Sequence, residues 1–167
     1  NSKIAFDSIA IGLSPFLMNA TSSVIVIIIN QGLLKYGGDM AVGAFGIVNR
    51  IAMLFVMIVI GLNQGMQPIA GYNYGARLYP RVTEVLKKSV IIATLIMSVG
   101  FLTAQLMPHQ IVSMFTSDLE LITHSERGLR IVFFFYPLIG FQMVVSTFFQ
   151  SIGKSGKAIF LSLTRQV

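Results

Sequence analysis

The feature of this sequence that most limits its fold is a series of long apolar segments without acidic residues. A helix needs about 20 mostly apolar residues to cross the hydrocarbon core of a bilayer. Four stretches reach that length, at 9–34, 41–70, 89–107 and 129–149, and a fifth begins at 158 and runs to the last residue, 167. We therefore predict an all-α, polytopic membrane helix bundle with four complete transmembrane helices and the start of a fifth.

Composition excludes the other broad classes of protein. The sequence is 54% apolar and 11% charged, whereas soluble domains carry about 25% charged residues. The net charge of +6 could suggest nucleic acid, but no basic face with interleaved aromatic side chains is present. We expect the lipid bilayer as a partner and no nucleic acid.

The basic residues predict how the chain is oriented in the membrane. Lys and Arg concentrate in the connections that face the cytoplasm, so we expect a cytoplasmic N-terminus and a multi-pass protein of the plasma (inner) membrane. The sequence opens with Asn-Ser-Lys and stops within an apolar stretch, so we also expect a piece of a longer protein. Lys3, Arg77, Arg81, Lys87, Lys88, Lys154, Lys157 and Arg165 fall on the predicted cytoplasmic side, and Lys35, Arg127 and Arg130 on the outer side.

Polar residues recur at helical spacing inside the apolar segments. Those of the second segment step by three or four residues, which places them on one face of a helix. Such residues either join helices through hydrogen bonds or line a shared, water-accessible cavity, and their persistence over consecutive turns favours the cavity. The candidate cavity-lining residues are Asn19, Asn30, Arg50, Met53, Met57, Gln64, Gln67 and Gln142.

Arg50 is the one charged residue in the interior of the four complete segments. A cation at the centre of a membrane helix costs about 2.5–3.5 kcal/mol on insertion scales. The side chain could extend to the outer interface, or it could face the bundle or a cavity and pair with carbonyl or amide groups such as that of Asn30. We prefer the second interpretation.

Gly61 and Gly65 have the GxxxG spacing that permits close helix approach.

Three prolines and one capping motif predict local features. Pro15, Pro68 and Pro137 lie within the predicted helices, where proline removes a backbone donor and bends the helix. We expect kinks at all three, either static or at moving parts. The sequence from Ser117 to Glu120 has the pattern of a helix capping box.

No motif for covalent chemistry is found. The GKSGK stretch lacks the first glycine of a phosphate-binding loop, because Phe148 occupies its place. His109 and His124 have no Cys or helically spaced His partner, so we expect no metal site. The absence of Cys excludes disulfides and thiolate ligands. We predict that the protein is not an enzyme and needs no cofactor.

The stretch GLNQGMQPIAGYNYGARLYPRV (61–82) closely resembles a signature at the end of the second helix in the C-terminal half of MATE (multidrug and toxic compound extrusion) transporters. The flanking stretches FTSDLELITHSERGLRI and FFQSIGKSGKAI match in the right order. This resemblance implies helices seven to ten and the start of eleven of a twelve-helix protein, within its C-terminal six-helix bundle. The partner would be the missing N-terminal bundle of the same chain.

The resemblance implies export of organic cations, drugs or related amphipathic compounds by antiport against protons or sodium ions, with alternating access. Many relatives carry coupling carboxylates in this bundle, whereas these helices offer amides, so we expect the site for H⁺ or Na⁺ to lie outside these residues. Asp7 is the one marginal candidate. The alternatives are a lipid-linked oligosaccharide flippase, which we expect to need more cavity cations, and a channel or non-transporting membrane protein.

Overall fold

The computed structural model describes the backbone of residues 2–154, 156, 158, 160 and 161, and among them the side chains of residue 16 and of those from 19 onward. The elements are the helices α1 (Ser2–Gly75), α2 (Tyr79–Leu106), α3 (Pro108–Ser113), α4 (Leu119–Phe133) and α5 (Tyr136–Ser151). Residues 156, 158, 160 and 161 are also helical, where the fifth segment was predicted. The predicted all-α polytopic bundle is confirmed.

Helix α1 is broken at Gly38, which has non-helical backbone angles (φ 64, ψ −166). Positive φ is accessible to glycine and strained for residues that carry a Cβ. The break separates residues 2–37, which contain the predicted segment 9–34, from residues 39–75, which contain the predicted segment 41–70. The predicted connection between them, residues 35–40, is therefore a sharp glycine break and not a loop.

The lengths of the helices fit several membrane crossings. The apolar stretch Asn19–Gly75 has 57 residues, or about 85 Å of helix at ~1.5 Å per residue, against a hydrocarbon core of ~30 Å. Helix α2, with 28 residues, is a second candidate span, and α4 and α5 together are a bent third. The break at Gly38 divides the first stretch, so the protein crosses the membrane repeatedly.

Helix α2 begins earlier than the predicted segment 89–107. It starts at Tyr79 after a short turn in which Arg77 has a positive φ of 59. Pro80 lies in its first turn, a position where the missing N–H has no helical partner to lose. The charged residues that follow continue the helix and are exposed, and the Lys88 ammonium pairs with the Glu84 carboxylate at 2.7 Å.

The predicted fourth segment 129–149 is divided between α4 and α5, which meet at an angle of 50°. The break falls at residues 134–135, just before Pro137 in the first turn of α5. Pro137 has no N–H, and the amides of Leu138 and Ile139 both donate to the Phe135 carbonyl. Proline at this position therefore starts a new helix after the bend rather than kinking one from within.

The predicted capping box is wrong by one residue. The N-cap of α4 is Asp118, whose Oδ1 accepts hydrogen bonds from the backbone N–H groups of Glu120 at 2.9 Å and Leu121 at 3.2 Å. Aspartate is as good an N-cap as serine, and its carboxylate also favours the positive end of the helix dipole. Ser117 and Asp118 are both residue types that cap helices, and Asp118 is the one that caps α4.

The core lies where α2 and α5 pack on each other and on residues 39–75. The ring of Phe133 stacks on that of Tyr136 across the α4–α5 break, with centroids 4.0 Å apart, and meets Phe55 of α1 edge-on at 5.7 Å. Val48, Ile51, Val59, Met97, Leu129, Phe133 and Val144 are buried in this core.

Candidate functional site

The predicted polar stripe of the second segment lies together on one exposed surface. We call this surface the polar face: Arg50, Met53, Met57, Gly61, Gln64, Gln67 and Pro68. The opposite side of the same helix is buried in the core and carries Ile51, Ala52, Val59, Met66 and Ala70. Arg50, Gln64 and Gln67 of this helix are therefore turned away from the core.

A groove opens beside Arg50 at one end of the polar face. Its volume is about 530 Å³, within the ~300–1,000 Å³ range of small-molecule sites. Phe115, in the turn after α3, closes one side, and the remaining walls come from α1. We call it the Arg50 groove; its lining residues are Gly46, Asn49, Arg50, Met53, Leu54, Met57 and Phe115.

Arg50 is exposed in this groove and has no ion-pair partner among the residues that the structure describes. No hydrogen bond joins the described side chains of Arg50 and Asn30, which was given above as one example of a partner. Asn30 belongs to the helix before the Gly38 break, and Arg50 lies on the exposed face of the helix after it. Arg50 lines the same groove as Met53 and Met57.

A second groove continues past Phe115 towards α2 and α3. Its volume is about 400 Å³, and Leu54 and Phe115 line both grooves. Thr103 and Gln110 are the two polar residues in its lining, and both are uncharged; the other lining residues are apolar. We call it the apolar groove; its lining residues are Ile51, Leu54, Phe55, Thr103, Met107, Gln110, Ile111, Met114 and Phe115.

Among the predicted amides, Gln64 and Gln67 are exposed on the polar face, and Gln142 is half-buried. The side-chain amide of Gln142 donates to the carbonyl of Leu161 in the next helical stretch. Ser146, one turn further along α5, donates to the carbonyl of Ala158 at 3.3 Å. In this region the polar stripe joins neighbouring helices.

The remaining predicted site residues lie in the first half of α1. Asn19 is exposed, and its backbone carbonyl accepts a hydrogen bond from the Ser23 hydroxyl at 3.0 Å. Asn30 is half-buried. The side chain of Pro15 falls outside the described residues. At Pro68 the backbone stays helical, so the expected kink produces no break there.

No helix closely approaches Gly61 or Gly65 within the described part of the chain, although their spacing permits it. A Cβ placed on either would meet nothing within 4 Å, and both glycines are exposed. Close contact occurs at Gly100, where a Cβ would lie 2.9 Å from the Phe55 ring, and at Gly140. The GxxxG spacing gives a helix face without large side chains. Whether another helix packs against that face depends on where the neighbouring helices lie.

Sequence reasoning missed the buried amides on the inner side of the same helix. Asn63 is buried, and its side-chain oxygen has no hydrogen-bond partner within the described part of the chain. Asn73 is buried and donates to the Ile69 carbonyl at 2.8 Å. The steps of four, three, four and three from Val59 through Asn63, Met66 and Ala70 to Asn73 could have placed both on the core side.

A side-chain hydrogen bond joins α3 to α4 next to the two grooves. His109 Nδ1 lies 2.8 Å from the Glu126 carboxylate. On the same side of the bundle, the Gln105 amide at the end of α2 donates to the Arg130 carbonyl at 2.9 Å. These contacts hold the α2–α3–α4 region in place and so position Phe115 between the grooves.

Comparison with known proteins identifies the family. The MatE family model matches residues 12–167. The chain is 23% identical over 155 residues to multidrug export protein MepA of Staphylococcus haemolyticus, covering 93% of this chain and 34% of that protein. To MepA of Staphylococcus saprophyticus it is 24% identical over 168 residues, covering 99% of this chain and 36% of that protein.

A solved structure shares the same fold. The structure of the MATE multidrug transporter DinF-BH, determined in complex with a ligand, is similar with a TM-score of 0.83 and 38% identity, over 99% of this chain and 37% of that one. The chain thus spans about a third of the length of these relatives. The helix bundle, its polar face and the family match over nearly all residues show that this chain belongs to the MatE family, an integral membrane family of transporters.

Proposed function

We propose that the whole protein is a secondary transporter that exports organic cations, drugs or related amphipathic compounds. Residues 39–75 would form one wall of its central cavity, with Arg50, Gln64 and Gln67 turned towards it. Antiport of protons or sodium ions would supply the energy, and alternating access would expose the cavity to one side of the membrane at a time. The names of the relatives, which include multidrug export proteins, support this class of substrate.

The exposed polar face carries the proposal. A charged or amide-rich surface in a membrane-depth helix is costly against lipid and occurs where protein or water covers it. Within the described residues nothing packs over Arg50, Gln64 or Gln67. The relatives are about three times as long, so the rest of the protein can supply the other wall of a wet cavity.

The site of ion coupling belongs elsewhere in this proposal. The acidic side chains that the structure describes are Asp39, Glu84, Asp118, Glu120 and Glu126. Asp39 follows the Gly38 break, Glu84 lies in the second turn of α2, Asp118 and Glu120 lie at the start of α4, and Glu126 lies in the middle of α4. Because amides do not titrate near neutral pH, a proton- or sodium-coupled cycle needs a carboxylate from the missing bundle. A coupling carboxylate found among residues 1–167 would contradict this part of the proposal.

Transport of ethidium, a fluorescent organic cation, by cells tests the proposed activity. Cells that express the full-length protein should accumulate less ethidium than cells without it, and collapsing the proton or the sodium gradient should abolish the difference. Gln64→Ala and Gln67→Ala should weaken export, while Leu95→Ala, on an exposed apolar position of α2, should leave it unchanged. Equal accumulation with and without the protein would favour a flippase or a non-transporting protein.

Labelling tests the proposed orientation in the plasma membrane. The sequence contains no Cys, so Lys3→Cys and Lys35→Cys can be compared in full-length protein cleared of any other cysteine. With a cytoplasmic N-terminus, a membrane-impermeant maleimide should label Lys35→Cys in intact cells and Lys3→Cys only after lysis. The reverse pattern would contradict the orientation.

A further inference from the structure

We propose that the Arg50 groove binds a single-chain amphipathic anion, with its carboxylate on the Arg50 guanidinium and its apolar body along the apolar groove. This inference rests on the proposed function and narrows the chemistry of one part of the cavity wall. A multidrug exporter that takes organic cations would thereby have a separate place for compounds of the opposite charge.

The charges in the groove favour an anion. A guanidinium keeps its positive charge in proteins and offers five N–H donors in a planar fork that matches a carboxylate. The lining of the groove contains no acidic side chain, and Arg50 forms no ion pair with the described residues. A bound carboxylate therefore gains an opposite-charge contact with Arg50, whereas a bound cation meets a like charge.

The shape favours a long apolar body. Met53 and Met57 border the charged end, where their flexible thioether side chains adapt to different ligands. Leu54 and Phe115 belong to both grooves, so a ligand that starts at Arg50 reaches the apolar groove by passing over these two side chains. The combined arrangement has one polar end and one apolar end, as a single-chain amphiphile has.

Binding of a matched pair of probes tests the inference. The full-length transporter in phosphatidylcholine nanodiscs is titrated with dansylaminoundecanoic acid and with an analogue of the same length that ends in trimethylammonium. The anionic probe should bind more tightly. Arg50→Gln should weaken it roughly ten- to a hundredfold, the loss expected for charge-assisted hydrogen bonds, without weakening the cationic analogue. Arg81→Gln, which removes an exposed cation of α2 outside both grooves, should change neither.

Two further variants keep the inference testable if Arg50→Gln fails to fold. Arg50→Lys keeps the charge but loses the planar fork, and should weaken the anionic probe by less than Arg50→Gln. Leu54→Trp should block the passage between the grooves, so that it weakens the long probe and leaves dansylglycine, a short anion, unaffected. Equal binding of the anionic probe to the wild type and to Arg50→Lys and Leu54→Trp would overturn the inference.

Other outcomes separate the competing occupants and the two proposals. Tighter binding of the cationic analogue would overturn the inference. Loss of anionic-probe binding when the wild type is placed in phosphatidylglycerol nanodiscs would also overturn the inference, because the groove would then hold a phospholipid. If the protein exports ethidium but binds the anionic probe equally well without Arg50, this inference alone is contradicted. If anion binding depends on Arg50 but the protein exports nothing, the proposed function alone is contradicted.

Discussion

Gly140 of α5 lies directly against the backbone of Ala93 in α2. A Cβ at Gly140 would stand 2.9 Å from the Ala93 carbonyl oxygen and 2.8 Å from Cγ of Met97. Both of these neighbours are fully buried. Membrane helices associate without a hydrophobic driving force, through close packing and interhelical hydrogen bonds, and here the absence of a side chain permits the close packing.

Gly140→Ala should therefore destabilise the bundle. The added methyl group meets a backbone carbonyl that cannot move aside, and overpacking of this kind costs about 1–3 kcal/mol. The measurement is the fraction of full-length protein that stays monodisperse in detergent after heating. Gly61→Ala is the matched control, because nothing lies within 4 Å of its added Cβ in the described chain. Equal losses for the two variants would contradict the packing described here.

The break at Gly38 yields a second prediction. Gly38→Ala places a Cβ on a residue with φ of 64, a conformation that costs L-residues about 1–2 kcal/mol. The variant should lower the temperature at which the protein loses monodispersity. Gly32→Ala serves as control, since Gly32 is helical with open space around it, and Ala there should be neutral or stabilising by up to ~1 kcal/mol. A stable Gly38→Ala variant would show that the break does not need glycine.

Substitution at the start of α4 distinguishes the two possible caps. Asp118→Ala removes the acceptor of two backbone N–H groups and should cost about 0.5–2 kcal/mol. Ser117→Ala, at the position favoured by the capping-box pattern, should change stability by less than ~0.5 kcal/mol. Hydrogen exchange at the amides of Glu120 and Leu121 reports the local effect. Faster exchange in Ser117→Ala than in Asp118→Ala would favour the capping box with Ser117 as N-cap.

The helices and the faces of residues 39–75 could be predicted from sequence because local spacing determines them. Arg50, Met53 and Gln64 share one side of any helix, whatever surrounds it. Which helix packs against each side depends on the neighbouring elements, and the spacing of residues along the sequence does not identify those neighbours. Gly61 therefore looked like a packing surface and is open, while Gln142 looked like a cavity residue and donates to another helix.

Gln142 separates helix packing from cavity lining experimentally. Gln142→Leu removes the hydrogen bond to the Leu161 carbonyl, and interhelical hydrogen bonds of this kind contribute about 0.6 kcal/mol, with a maximum near ~1.7. We expect lower thermal stability in detergent with ethidium export retained in cells at matched expression. Gln67→Leu, on the exposed polar face, should show the opposite pattern, with stability retained and export reduced. If Gln142→Leu lost export at unchanged stability, its amide would belong to the cavity, and the α5 stripe would have to open towards substrate during transport.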